Sequence, residues 1–520
     1  MAKNSLLIFG LLFISQSLFS QTELKLFNQF DDVWANKSYA HDSLYLPTIY
    51  RSPLNFAEAQ QKGIKQYNNK FNKYFRNKHF FELHDSTIDL SADPIIDFSY
   101  AIQEDTSFTQ NSRGLILKGK LSENFYFLTG AVENQAYFPA YQRDYYKSKR
   151  VISGLGRYKN FKEGGYDFAY AFGQIYWLPL KNLTIEAGQG KQFIGQGYRS
   201  LILSDFNSFY PFLKISTRLK KLEFSHMFTA FQDVYKEDSR LLVYQRSHGT
   251  FTSMGIQLPY RIHVSLTEAI IWRTTNETSN NDFPLSFFNP IPFFRVFQYG
   301  MNNDNNVLLG LDMSWNPIQS IVLYSQVMVD DLSGLHTADS LGIYNRYGYQ
   351  VGCRILEPFK IKNLMLLAEY NRVLPYTYMH RIRRQSYTGM NEGLAHPLGA
   401  NFNETVCQLQ YQYKSTYLSL KCSNAFTGKD ATGTNFGSNL SLSDTSASVS
   451  LPFFEVDYPG IGTSIVHVNT EIGYIINPRY NFILSAGINY RKEIQSHVSK
   501  ITNLVYIKLS TQILNNYKDF

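Results

Sequence analysis

Charged side chains supply only 18% of this 520-residue chain, well below the roughly 25% usual in soluble domains. Cysteine is scarcer still: three residues, at 353, 407 and 422, with no CxxC and no zinc-ligand spacing, which excludes a disulfide-stapled scaffold. Past the N-terminus there is no run of about 18 apolar residues, so helical membrane spans are excluded. The 50 basic and 42 acidic residues leave a net charge of +8. They form no dense Lys/Arg block of the kind that grips nucleic acid. What the chain has in quantity is aromatic bulk, with 40 Phe, 38 Tyr and 4 Trp, beside a mean hydropathy of −0.26. That bulk excludes disorder. A polar, aromatic-rich chain with few charges is a soluble β protein or a transmembrane β-barrel.

The first residues give an address. Lys3 precedes an apolar stretch from Leu6 to Ile14, and small polar residues lead on to Ser20. This is the pattern of a secretory signal peptide over residues 1–20, cleaved between Ser20 and Gln21. Residues 21–90 form a separate segment. Ser52-Pro53 is a helix start, and Ile64, Tyr67, Phe71, Tyr74 and Phe75 recur at helical spacing. The segment is too small for a core of its own and is expected to pack, as a helical plug, against residues 91–520.

From residue 91 to 520 the period is two. Tyr166, Phe168, Tyr170 and Phe172 alternate with small or polar residues, and in an outer-membrane barrel such a bulky face is expected to meet lipid. Tyr480, Phe482, Leu484, Ala486, Ile488 and Tyr490 form a stripe opposite Asn481, Ser485, Gly487, Asn489 and Arg491. Ten tilted residues of this kind cover about 23–25 Å, the height of a barrel's apolar band. Turns fall at residues 122–124, 179–182 and 477–479, and long polar loops at 274–282, 301–306 and 428–447. Short turns at one end and long loops at the other are a barrel's asymmetry. The spacing predicts an all-β antiparallel transmembrane barrel of 16–20 strands. Residues 403–413 and 416–426 read as a hairpin around Lys414-Ser415 in which Tyr413 faces Thr416 and Cys407 faces Cys422. A cross-strand disulfide between them is expected in an oxidising compartment, with two free thiols as the alternative.

Catalytic patterns are sparse. There is no HExxH, no G-x-S-x-G, and no complete phosphate or dinucleotide fingerprint around Gly188 to Gly197. Asp330-Asp331 suits a hard cation or, more simply, a strand exit, and His380 and His396 suit a solvated loop or the lumen. No cofactor and no metal are expected, and the protein reads as non-enzymatic. A Thr or Ser beside a His on neighbouring lipid-facing strands is the one enzymatic arrangement left open. One region stands out by composition: Arg372, Tyr376, Tyr378, Arg381, Arg383, Arg384 and Tyr387 form a basic-aromatic cluster. Aromatic faces stack on sugar rings and Arg forks pair with carboxylates or phosphates, so the cluster is a candidate glycan site. A loop touching lipopolysaccharide or water is the plainer alternative.

Three blocks carry a resemblance. Gly188 to Thr217 (GQGKQFIGQGYRSLILSDFNSFYPFLKIST) is similar to the segment of the capsule-assembly Wzi family with a Gly-containing turn, a G-x-G step, Ser-Leu-x-Leu-Ser and an aromatic-Pro. Asn305 to Pro317 (NNVLLGLDMSWNP), with Tyr324 to Gln326, resembles its Leu-Gly-x-Asp strand pair. Tyr376 to Gly399 resembles its Tyr-rich block ending in Gly393, His396 and Gly399. The resemblance implies an outer-membrane barrel of about 18 strands, plugged from the periplasmic side by helical segments and holding capsular polysaccharide on the cell. Phe193-Ile-Gly-Gln-Gly197 stands where a Trp-Gly-Pro-Gly step is usual in enterobacterial members. The chain looks more like the Bacteroidetes branch, some members of which carry the name of the gliding-motility protein RemB. The partners implied are outer-membrane lipid and lipopolysaccharide, a surface polysaccharide, and gliding-motility or adhesin machinery. The sequence ends in Phe520, an aromatic of the kind that addresses chains to the outer-membrane insertion machinery. A channel or uptake porin is the alternative function.

Overall fold

A computed structural model describes residues 76, 78–85, 88–234, 244–273, 305–332, 345–448, 458–511 and 513–520, with the side chains of 331 and 332 excepted. The signal peptide, the helix over Ile64 to Phe75 and the loop at 274–282 lie outside the described residues. Eighteen antiparallel strands close into a barrel. They are β1 (Asp89–Gln103), β2 (Thr106–Ser122), β3 (Phe125–Ala136), β4 (Gly165–Leu180), β5 (Leu183–Gly190) and β6 (Tyr210–Leu219). Next come β7 (Leu222–Gln232), β8 (Arg246–Leu258), β9 (Ile262–Trp272), β10 (Asn306–Ile318), β11 (Ile321–Leu332) and β12 (Asn345–Leu356). The last are β13 (Leu364–Val373), β14 (Phe402–Tyr413), β15 (Thr416–Lys429), β16 (Ile461–Asn477), β17 (Phe482–Gln495) and β18 (Val498–Thr511). Each strand pairs with its neighbours in the sequence of strands, and β1 meets β18 at the seam, Phe98 opposite Leu509. Closure leaves the ring without an unpaired edge.

Alternation sets the two faces. On β17, Leu484 and Ile488 point outward and are 45% and 53% exposed, while Ile483, Ser485, Asn489 and Arg491 are buried inside. On β4 the expectation for the aromatic face is overturned. Tyr166, Phe168 and Phe172 are buried and face the lumen, while Ala169, Ala171, Ile175 and Trp177 face out. Bulk points inward here because the lumen is packed with protein, and those rings meet Phe138, Tyr146 and Phe209. The hairpin register is the expected one: Tyr413 faces Thr416 and Cys407 faces Cys422, on the outward side. The structure holds no bond between these two cysteines; both are free.

One end of the barrel carries only tight connections, at 123–124, 181–182, 220–221, 259–261, 319–320, 357–363, 414–415 and 478–481. The other end carries the long ones, including 137–164, 191–209, 374–401 and 430–460. Described parts of all four pack into the barrel's interior. The connection 137–164 contains helix α1 (Ala140–Lys149), which Pro139 opens and Arg150, in the left-handed region at φ 61°, closes. The resulting interior has a large cluster around Leu201, Ile202, Phe231, Phe251, Tyr378 and Phe402. A second joins Phe138 and Tyr146 to Tyr198, Tyr517 and Phe520.

Candidate functional site

The segment 191–209 lies along the inner wall of β10–β13, and side chains on those strands take over the backbone partners that a ladder would supply. Gln326 donates to the Ile194 carbonyl at 3.1 Å and accepts from the Leu201 amide at 2.9 Å. Glu369 accepts from the amides of Tyr198 and Arg199 at 2.7 and 3.1 Å. Gln350 and Arg354 donate to the Arg199 and Gln196 carbonyls at 3.0 and 2.8 Å. The approach is so close that a Cβ at Gly195 (φ +121°) would overlap Gln326, and one at Gly197 would overlap Glu369. This is the physical content of the G-x-G step. The Leu-Gly-x-Asp block serves the same contact: Ile202 packs on Gly310, and Asp312 accepts from Gln326 at 3.0 Å.

Arg199, fully buried, anchors this segment. Its guanidinium forks onto Glu404 at 3.0 and 2.7 Å and reaches Asp519 at 3.2 Å. Lys421 pairs with Asp519 at 3.0 Å. Burial alone would raise the Asp519 carboxyl, yet Arg199 and Lys421 hold it well below the usual carboxylate range. His396 sits 2.7 Å from the same Glu404, and its Nδ1 accepts from the Leu398 amide at 3.1 Å. That assigns the proton to Nε2. Burial lowers the His396 pKa in spite of Glu404, consistent with a neutral ring that donates. His396 is therefore a buried structural donor: of the two readings, solvated loop or lumen, it lies in the lumen, packed rather than solvated.

The basic-aromatic cluster divides. Tyr376, Tyr378 and Tyr387 are fully buried and donate to the carbonyls of Asn435, Leu201 and Ile202 at 2.6, 2.7 and 2.6 Å. They pack the interior and do not reach solvent, which corrects the expectation that the loop presents them. Arg372 lies on the opposite, outward side of β13 and donates to the Tyr458 hydroxyl at 2.5 Å. Arg381 is exposed, Arg384 is half-buried, and half-buried Arg383 pairs with Asp233 at 2.6 Å. Asp330 accepts from the Tyr378 amide at 2.7 Å and so holds the loop. Among the described residues no group of three or more His, Cys, Asp or Glu gathers as a metal site. Phe520, read as an insertion signal, is buried in the lumen against Tyr145, ring centroids 4.1 Å apart.

A second set of cations is not singled out by the sequence reading. Lys147, Arg150, Lys159 and Lys162 are exposed on the connection 137–164, at the same end as Arg381. Arg157 donates to the Asp233 carbonyl at 3.5 Å and lies 3.2 Å from the Tyr244 ring, so Asp233 ties this connection to Arg383. The signal for it is seven Lys/Arg between positions 143 and 162, interleaved with Tyr and Phe.

No family model and no curated protein matches the sequence. Solved structures do. The fold is that of the large outer-membrane-type β-barrels. One is Wzi, an outer membrane protein involved in group 1 capsule assembly in Escherichia coli and described as a carbohydrate-binding β-barrel. It matches with a TM-score of 0.54 at 12% identity, over 94% of this chain and 99% of its own. OprD of Pseudomonas aeruginosa matches with a TM-score of 0.41 at 10% identity, over 82% of this chain and 96% of its own. OccAB4 of Acinetobacter baumannii matches with a TM-score of 0.40 at 8% identity, over 82% and 98%.

Proposed function

We propose that this protein is a non-enzymatic barrel of a bacterial outer membrane, its long connections facing outward, that binds and organises an acidic surface polysaccharide. The observation that carries the reading is the division of labour among the long connections. Among the described residues, Tyr376, Tyr378, Tyr387 and Tyr146 are spent on filling the lumen, and Arg381, Lys147, Arg150, Lys159 and Lys162 are exposed at one end. Short turns belong to the periplasmic side of such barrels and long loops to the outside. Many weak contacts along one polymer add by avidity, so no single deep pocket is required. The likeness of fold to a carbohydrate-binding barrel supports the same reading. A contribution to adhesion or gliding would come from an altered surface and is suggested by the sequence resemblance.

The test is the ratio of cell-bound to released polysaccharide in a deletion strain and its parent. A shift toward released polymer is expected. An unchanged ratio sinks the anchoring role and leaves the motility apparatus or a pore.

A further inference from the structure

Residues 513–520 leave β18 at the short-turn end and then run back up through the lumen. Asn515 and Tyr517 both donate to Asp205, each at 2.6 Å. The Lys518 carbonyl accepts from the Tyr141 hydroxyl of α1 at 3.1 Å. Asp519 accepts from the Tyr198 hydroxyl at 3.1 Å and joins the Arg199 and Lys421 pairs already described. The Phe520 carbonyl accepts from Arg491 at 2.9 and 3.2 Å. Eight extended residues reach about 26 Å, close to the height of a barrel's apolar band. One short peptide therefore links the short-turn end to the helix at the long-loop end.

The lumen is filled in two halves. The segments 191–209 and 374–401 occupy the side lined by β10–β13, through the contacts of Gln326, Gln350 and Glu369. The side along the seam, from β16–β18 round to β4, holds α1 and the 513–520 peptide. There a cavity of ≈ 90 Å³ lies between peptide and wall, lined by Asp97, Gln110, Asn134, Lys191, Ser510 and Asn515 among others. Its lining is mixed, with Ile95, Phe206 and Leu514 beside those polar groups, and it has room for several water molecules against the polar part. Besides the rings of Tyr517 and Phe520 and the packing of Ile513 and Leu514 on the wall at the peptide's start, what holds the peptide is hydrogen bonds and ion pairs. Such contacts can be exchanged for water if the peptide leaves.

We propose that residues 513–520 are a releasable latch, and that the barrel is a latent channel whose water-filled path opens along the β1–β18 seam when the peptide leaves the lumen. An 18-stranded ring is wide enough to conduct once its filling is removed. The same release takes away the floor under α1, so an event at the short-turn end is transmitted to the cationic connection at the other. This inference does not depend on polysaccharide binding.

The experiment uses the full chain, folded in detergent and shown to be folded by heat-modifiable gel mobility. Single-channel recordings in planar bilayers compare the wild type with a chain carrying Asn515→Ala, Tyr517→Phe and Asp519→Asn together. A milder variant, Tyr517→Phe with Asn515→Ala, serves if the triple variant does not fold. Trypsin cleavage after Lys147, Lys149 or Arg150 is monitored in parallel. The expected result is a nearly silent wild type and a folded variant with discrete open steps, cleaved about tenfold faster as the open population rises. A folded variant as silent as the wild type, or a wild type already conducting to the same degree, overturns the latch.

Discussion

Arg199 illustrates what a single side chain decides in this lumen. It is fully buried and carries two carboxylates, and its own main chain is held by Glu369 and Gln350. Replacing it by Ala leaves Glu404 to His396 and Asp519 to Lys421 and Tyr198 in a packed interior. A buried charge left with no partner costs about 3–5 kcal/mol, and we expect Arg199→Ala to lose up to that amount in urea-induced unfolding from lipid vesicles. Arg199→Lys should lose part of it, because the fork onto Glu404 needs a planar guanidinium. Glu392 makes a prediction in pH. Burial pushes its carboxyl up from an ordinary 4.5 to about 7, against the pull of the Gly154 amide, from which it accepts at 2.9 Å. A folded-state pKa above the unfolded one means that its contribution is fully present below about 4.5 and lost as pH rises through about 7. Stability to urea should therefore fall as pH rises through about 7, and Glu392→Gln should remove that fall. Cys407 and Cys422 face each other within the reach of a disulfide. The structure holds both thiols free, so two alkylation tags are expected without reduction, and tags that appear only after reduction of protein from an oxidising compartment would show that the pair closes there.

At the scale of elements, the strands are legible in the sequence and the connections are not, for one reason. A strand's period and its turn residues are local, so the hairpin at Lys414-Ser415 and its whole register can be read from which side chains are apolar. The destination of a long connection depends on partners far along the chain. Tyr378 and Tyr387 read as solvent-facing beside Arg383 and Arg384, and nothing near them in sequence announces Leu201 and Ile202 as their acceptors. The aromatic face of β4 misleads for a similar reason, since the rule that bulk meets lipid presumes a wet lumen. The basic run from Arg143 to Lys162 is local and readable, but its cations are spread more thinly than those of the 381–384 cluster and stand out less. Two triple variants separate the candidates. Arg381, Arg383 and Arg384 to Ala removes the cluster, and Lys147, Arg150 and Lys159 to Ala removes the second set. Each should lower polysaccharide retention while the barrel stays folded. The first should also free Asp233 from its ion pair, at a cost under about 1 kcal/mol for a partly exposed pair. A variant with unchanged retention takes its residues out of the site.

For the molecule as a whole, the outer wall decides the solvent. Ile488, Val505 and Ile507 are 53%, 59% and 53% exposed and lie on adjacent strands in direct register, Ile488 opposite Val505 and Ala486 opposite Ile507. Leu484, Ile472 and Tyr474 extend the same patch across β16. A soluble protein rarely carries a contiguous apolar surface beyond a few hundred Å², whereas a barrel in lipid needs one all the way round. The two environments give opposite signs for one substitution. In water, Ile488→Arg would relieve an exposed apolar residue and cost little. In a bilayer it sits well inside the band and should cost about 2–4 kcal/mol, while Ile494→Arg, nearer the long-loop end, should cost about 0–1 kcal/mol. Equilibrium folding of both variants into phospholipid vesicles measures the difference. A gradient with depth identifies lipid as the solvent of this face. Equal costs at the two positions would mean that protein covers the wall in the membrane, and that the barrel works inside a larger assembly.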